Sequence, residues 1–346
     1  MSRAEITRDT GMSFPTAMKV VDAFLEKGLL VELDETGPAA GAGRKGRLLR
    51  FEPGAYRAVG VECEGRFARV GLADMAGDFA RTRDLSPLAA AIRRMCAAAN
   101  GAPVLGVCIG FPANLDPDAA AIVSYAAMDI QQPTSFAQVF PAFWREVELP
   151  VYLENDANLA CEGEAFLRRG AGGAANMLYL SIGSGCGGAV RLDGKLRRGA
   201  RCRAGEVGAM LLQPALGAPG RSAARETLED AVCLAALERR FGAALRDGAQ
   251  PGEASAQAMR DYLCGPLSGA VYSLVMTLDV ELCVLAGIVP GALGMQLCTQ
   301  VSEALRAALP ESTPVRVEPS VSADAGVIGA AATVFERSLD ALLGSG

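Results

Sequence analysis

The chain contains no histidine among its 346 residues. That excludes every mechanism with an imidazole base and every zinc site that needs a histidine ligand. No two of its ten cysteines form a CxxC pair. Most of them, including Cys96, Cys108, Cys161, Cys233, Cys264 and Cys283, sit in apolar surroundings. Cysteine used this way acts as a small hydrophobe in a reducing compartment. Positive charge is in deficit, 33 Lys and Arg against 39 Asp and Glu. A globally basic nucleic-acid binder is therefore excluded, though a local basic element is not. Long apolar runs are also missing. The stretches Leu267–Leu278 and Leu282–Met295 are short and interrupted by Gly, Ser or Pro, so no bilayer crossing is expected. Residues 1–12 are polar and helix-forming, unlike a signal peptide. A soluble, cytoplasmic protein is the expectation. Hydrophobic residues make up 51% and charged residues 21%, which excludes a disordered chain. The length suits two or three domains with at least one sizeable core.

The first fifty residues read as a small separate module. Ser2 and Glu5 fit a capping box, and a short helix then runs to Gly11. Ser13 caps a second helix with Pro15 in its first turn, Ala17, Val20, Val21, Phe24 and Leu25 on an apolar face, and Gly28 at its end. Helix, short turn, helix is the helix-turn-helix pattern. Leu29–Leu33 and Leu48–Phe51 read as strands around a Gly/Pro/Ala-rich loop ending in Arg44, Lys45 and Arg47. That arrangement looks like the wing of a winged helix. Residues 1–53 hold eight basic and eight acidic side chains, so the positive charge at the wing is local, as phosphate contacts require. The second helix would enter a major groove with Ser13, Thr16, Ala17 and Lys19 nearest the bases. A helical hairpin packed on the body, with a solvated basic loop, is the plainer alternative. A complete winged helix carries one more helix before this pair, which the module lacks.

From Ala55 onward strands and helices alternate. Tyr56–Val61 and Phe67–Ala73 are read as strands, Val104–Ile109 as a buried strand, Thr134–Val147 as a helix, and Pro150–Leu153 as a short strand. A second half begins alike, with strand Met177–Ile182, a glycine loop at Gly183–Gly188 and strand Ala189–Leu192. Helices are expected at about Glu226–Ala244, Ala254–Thr277, Leu293–Ala308 and Ala323–Leu343. Strand, glycine loop, strand, turn occurs in both halves, which implies a duplicated α/β domain with a cleft between its lobes.

Three places carry candidate chemistry. The glycine loop offers backbone N–H groups that could cradle phosphate, although hairpin sterics alone also favour glycine. Asp156 follows a short buried strand and could accept a proton from a substrate hydroxyl. Asn155 or Asp156 would equally cap the helix at Ala157–Phe166, and on local grounds that reading is the stronger. Glu206 stands between Gly205 and Gly208, and Glu229 begins a helix whose dipole favours an acid.

Taken in order, five segments resemble the ROK family of sugar kinases and sugar-responsive repressors: Gly106–Pro112 (GVCIGFP), Glu154–Asn158 (ENDAN), Leu180–Val190 (LSIGSGCGGAV), Gly205–Met210 (GEVGAM) and Ala323–Ala330 (ADAGVIGA). The N-terminal module, with Gly43-Arg44-Lys45 and Leu48–Pro53, resembles the repressor branch. The resemblance implies a winged helix-turn-helix head at 1–53. It also implies an actin-like, hexokinase-like pair of lobes at 54–156 and 157–324, with the last helix, 325–346, packing on the first lobe. It implies that Asn155, Asp156, Glu206 and Glu229 hold a sugar, with Asp156 the catalytic base in a kinase.

The departures from the family pattern lie at its nucleotide and zinc motifs. Where the family reads Asp-x-Gly-Gly-Thr, this chain has Glu62-Cys63-Glu64-Gly65-Arg66, with an anion where ATP phosphates belong. The paired glycines of the adenosine motif appear as Ala286-Gly287. Gly65, Gly183, Ser184, Gly185 and Gly287 are the remnants of that nucleotide site. The zinc-ligand positions hold Ala209, Gly220, Ser222 and Thr227. Without positioned phosphates and metal, phosphoryl transfer loses its basis. The expectation is a sugar-responsive DNA-binding regulator, homo-oligomeric, with no cofactor or metal, and with an ATP-dependent sugar kinase as the alternative.

Overall fold

The computed structural model describes residues 1–36, 47–64, 67–84, 88–125, 128–169, 173–212, 226–242, 245 and 250–343. The chain begins with α1 (Arg3–Thr10) and α2 (Phe14–Glu26). Ser2 and Glu5 form the capping box on α1, and the Ser13 hydroxyl caps α2. Strands β1 (Leu30–Thr36) and β2 (Arg47–Phe51) pair antiparallel, and Ser2 bridges to Leu48 beside them. Ala17, Val21, Leu29 and Leu49 form the small core of this module. It is tied to the rest by the Tyr56 hydroxyl, which donates to the Lys27 carbonyl at 3.0 Å.

The first lobe follows with β3 (Arg57–Glu64), β4 (Phe67–Asp74), β5 (Phe79–Asp84), α3 (Leu88–Ala97) and β6 (Val104–Phe111). A three-stranded flap, β7 (Asn114–Asp116), β8 (Ala121–Ser124) and β9 (Thr134–Ser135), comes next. Then come α4 (Phe136–Val139), α5 (Pro141–Glu146) and β10 (Val151–Asn155), and α6 (Asp156–Leu167) leaves the sheet. The second lobe holds β11 (Met177–Ile182), β12 (Cys186–Leu192) and β13 (Lys195–Arg197). It continues with α7 (Leu228–Val232), α8 (Leu234–Phe241), α9 (Glu253–Leu278), β14 (Leu282–Ala286), α10 (Ile288–Leu293), α11 (Met295–Ala308) and β15 (Arg316–Pro319). The last helix is α12 (Ala325–Leu343).

The two five-stranded sheets share one topology: β10-β6-β3-β4-β5 and β15-β14-β11-β12-β13. In each, an antiparallel meander is followed by two parallel strands. The duplication read from the sequence is this repeat. Helix α12 lies on the first sheet through Ala330, Ala331 and Val334 against Ala58 and Cys108. It also crosses α6 so closely that a Cβ on Gly163 would overlap the Ala325 carbonyl, and one on Gly329 the Leu159 carbonyl. Only glycine permits that approach. No helix among the described residues is long and apolar enough to cross a membrane.

Two expected helices are broken, one by a proline and one by a contact remote in the chain. The segment 134–147 starts as a strand and divides between Phe140 and Pro141, where proline supplies no N–H for a continuous ladder. The segment 226–244 divides at Cys233, whose backbone is extended, while Leu234 N–H donates to the Gly183 carbonyl at 2.8 Å. A bond to the glycine loop thus replaces one within the helix. In the same way Gly294, at φ 72°, separates α10 from α11.

Candidate functional site in the cleft between the lobes

The site is built around the corner where β10 becomes α6. Asn155 caps α6, accepting the Asn158 N–H at 3.1 Å, and its Nδ2 donates to the Ala113 carbonyl at 3.3 Å. Asp156 is the first helical residue, and its Oδ1 accepts the Ala157 N–H at 2.9 Å. Both side chains are half-buried. The cap reading and the cleft reading therefore hold together. Behind them Glu154 is 2% exposed. Its Oε1 accepts the Asn155 N–H and the Asn158 Nδ2, each at 2.9 Å, and its Oε2 meets the Arg198 guanidinium at 2.6 Å. Arg198 follows β13, so this ion pair joins the two lobes. A buried carboxylate needs such a partner, and here it fixes the corner that carries Asn155 and Asp156.

Glu206 and Glu229 approach the same corner from the second lobe. Glu206 precedes a short 3-10 turn, Val207–Ala209. Desolvation of its carboxyl raises its pKa, Arg203 opposes that shift, and Glu229 adds to it. Glu229 lies in the first turn of α7, and its Oε2 accepts the Cys186 N–H at 2.8 Å. A Cβ on Gly187 would lie 3.5 Å from the Ala157 Cβ, so the glycine loop packs on the first turn of α6. The Cys63 thiol, pushed up to about 12 by burial first and then by Asp156 and Glu62, marks those two carboxylates as neighbours.

Two N–H groups of the glycine loop have partners within the chain. The Gly183 N–H donates to the Gly185 carbonyl at 2.9 Å, and the Cys186 N–H is held by Glu229. A Cβ on Gly185 would lie 2.9 Å from Glu229 Oε2, while Ser184 is exposed. Gly287 has φ 92° and turns against the Ile182 backbone, so packing alone requires glycine there. Gly65 lies outside the described residues. In the first hairpin Glu62 pairs with Arg69 at 2.9 Å, its cross-strand partner. The same guanidinium donates to the Ala323 carbonyl just before α12. At the zinc positions, Ala209 has no donor atom and the Thr227 hydroxyl caps α7, accepting the Asp230 N–H at 3.2 Å. Gly220 and Ser222 lie outside the described residues.

In the N-terminal module Ser13, Thr16 and Lys19 are exposed on α2, and the Ser13 and Thr16 hydroxyls meet at 2.8 Å. Ala17 is 1% exposed, so the expectation that it lies at a binding face is corrected. It falls one turn before Val21, on the stripe that packs against Leu29 and Leu49. Arg47 is exposed and pairs with Glu32 at 3.0 Å, while Arg44 and Lys45 lie outside the described residues. Sequence reasoning missed Arg69, Arg198 and Arg203. No local pattern singles them out, because each acts on a residue remote in the chain or across the cleft.

A family model described as "ROK family" matches residues 80–337. A glucokinase from Halalkalibacterium halodurans is 34% identical over 141 residues, which make up 39% of this chain and 40% of that protein. The chain thus matches less than half of that relative's length. Among solved structures, a ROK family transcriptional regulator, a homolog of the E. coli MLC protein, superposes with TM-score 0.76 at 16% identity. It covers 99% of this chain and 93% of its own, a likeness of fold alone. A ROK hexokinase from Thermus thermophilus superposes with TM-score 0.64 at 25% identity, over 82% of this chain and 99% of its own. The two lobes of one topology, the cleft between them and the family match agree: this chain belongs to the ROK family and has its actin-like, two-lobed fold.

Proposed function

We propose that the chain is a sugar-responsive, DNA-binding transcriptional regulator that does not phosphorylate its ligand. The observation that carries this reading is the N-terminal module. It consists of two capped helices and a paired hairpin joined to the first lobe through Tyr56. The regulator's structure covers 99% of the chain, which includes that region, while the hexokinase covers 82%. In this reading residues 1–53 are a winged helix-turn-helix. Ser13, Thr16 and Lys19 face the bases, and Arg47, Arg44 and Lys45 contact phosphates. The sugar lies between Asn155, Asp156, Glu206 and Glu229, whose amide and carboxylate groups pair hydroxyls. Closure of the lobes on the sugar changes the spacing of the heads in a homodimer, and with it operator affinity. Such a protein works in the cytoplasm.

The residues at the family's nucleotide and zinc positions do not fit those groups. Arg69 already neutralises Glu62, Glu229 sits on the glycine loop, and Ala209 and Thr227 replace ligands. An ATP-dependent sugar kinase is the second reading, favoured by Asp156 at the cleft corner, where it could take a hydroxyl proton. Fluorescence anisotropy of the gene's flanking intergenic DNA, at two salt concentrations and with a panel of sugars, separates the two. The regulator binds selectively and more weakly at high salt, one sugar shifts the binding, and Asp156→Ala loses the shift but not the binding. Absence of DNA binding, together with ATP-dependent sugar phosphorylation abolished by Asp156→Asn, establishes the kinase instead.

A further inference from the structure

From the end of β13 to Glu206 the chain carries four arginines, Arg197, Arg198, Arg201 and Arg203, of which Arg201 is exposed. Arg197 pairs with Asp193 at 2.7 Å, and Arg198 pairs with Glu154. Arg203 differs. It is exposed, and its hydrogen-bond partner among the described residues is neutral: Nη2 donates to Ser124 Oγ at 3.5 Å, across the cleft. The acids that face this loop are engaged elsewhere. Asp116 accepts the N–H groups of Asp118 and Ala119, each at 3.1 Å. Asp118 pairs with Arg337 at 3.5 Å, and Glu154 with Arg198. Glu206, three residues on, influences Arg203 only through space. Among the described residues this cleft guanidinium thus has no carboxylate within ion-pair distance.

Ser124 completes the pattern. Its Oγ accepts from Asn114 Nδ2 at 3.0 Å and from Arg203, which leaves its own proton to donate. Asn114 adjoins Ala113, whose carbonyl holds Asn155. The Arg203 guanidinium and the Ser124 hydroxyl therefore stand beside the sugar-binding corner. Two donors, one of them charged, suit a planar or tetrahedral anion better than a hydroxyl. We infer that Arg203, assisted by Ser124, recognises an anionic group, a carboxylate or a phosphate, on the sugar bound in this cleft. The inference rests on the sugar-binding reading above and adds the ligand's charge to it.

Isothermal titration calorimetry on the full chain tests it. The titrants are glucose, galactose and mannose, each as the neutral sugar, its 6-phosphate and its uronic acid, with N-acetylglucosamine and its 6-phosphate added. At least one anionic form should bind about tenfold more tightly than its neutral parent, with the preference falling as salt rises. Arg203→Gln should bring the two within about twofold while the melting temperature stays unchanged, because the side chain is exposed. Ser124→Ala should weaken the anionic form less. The phosphate and carboxylate arms identify which anion is read. A neutral sugar that binds as tightly as its anionic forms, or an unaltered preference in Arg203→Gln, overturns this inference and leaves the sugar-binding reading standing. Silence from every titrant counts against both.

Discussion

The two sides of the β10–α6 corner treat charge in opposite ways. On the side of the first hairpin and the glycine loop, charged and polar groups find partners within the chain. Glu62 has Arg69, Arg69 also has the Ala323 carbonyl, the Cys186 N–H has Glu229, and the Gly183 N–H has the Gly185 carbonyl. On the side that faces the flap, Asn155 caps α6 and donates to the Ala113 carbonyl, Arg203 reaches the neutral Ser124 hydroxyl, and the Glu206 carboxyl has its pKa raised by desolvation. A group satisfied internally must break that bond before it binds anything else, whereas a half-satisfied one gains a partner on binding. A ligand is therefore taken up at least cost beside the flap, in keeping with the proposed division between a nucleotide side paired within the chain and a sugar side.

Substitutions can sharpen or break this contrast, because internal pairs should govern stability and cleft groups should govern ligand response. The largest effect is expected at the wholly buried pair of Glu164 and Arg168, which also reaches Glu318 and the Pro319 carbonyl. Arg168→Met leaves a buried carboxylate uncompensated and should cost about 3–5 kcal/mol in urea unfolding. A loss below about 1 kcal/mol would mean that the neighbouring Ser320 hydroxyl and Val321 N–H suffice. Arg69→Leu comes next. The Arg69–Glu62 pair is partly exposed, so the expected loss is about 1 kcal/mol. Equilibrium dialysis should still find no Mg-ATP retained, and micromolar retention by the unaltered protein would abolish the contrast.

Smaller stability effects belong to the cleft. Asp156→Asn removes an acid from the first turn of α6 and should cost about 0.5 kcal/mol, yet it should eliminate the calorimetric response to whichever sugar binds. Unfolding in place of that selective loss would make Asp156 a structural residue. Glu206→Gln should have the smallest effect. A carboxyl whose pKa is raised by folding binds protons more readily in the native state, so its contribution to stability is present at low pH and declines as pH rises through the raised value. The amide removes that dependence. The variant should melt slightly higher than the parent at pH 8 and equally at pH 4.5, and a gain at the acidic end would reverse the assigned sign.

Much of this was legible before the structure. Capping residues marked the starts of α1, α2 and α6, because the cap is a bond within three residues. The repeat of strand, glycine turn and strand revealed the duplication, and the polar run at 154–158 revealed the corner. The break at Phe140 was legible in Pro141 and was passed over, because proline is tolerated at the start of a helix but not within one. The break at Cys233 was not legible, since residues on both sides favour helix and the deciding bond, from Leu234 to Gly183, is remote in the chain. Ala17 was misplaced because its position near the start of α2 was weighed above its place on the apolar face, and the structure buries it there.

The composition of the site was readable from residue order alone: which acids and amides are present, what stands at the family's zinc positions, and which helix caps and glycine turns form. Those are properties of single residues and their near neighbours. Which charges cancel depends on the folded arrangement. Glu62 meets Arg69 through strand pairing, Glu154 meets Arg198 across the lobes, and Arg203 reaches Ser124 with no carboxylate within ion-pair distance among the described residues. Coulombic partners are chosen by distance in space, and that distance does not exist until both sheets are folded and the cleft between them is formed.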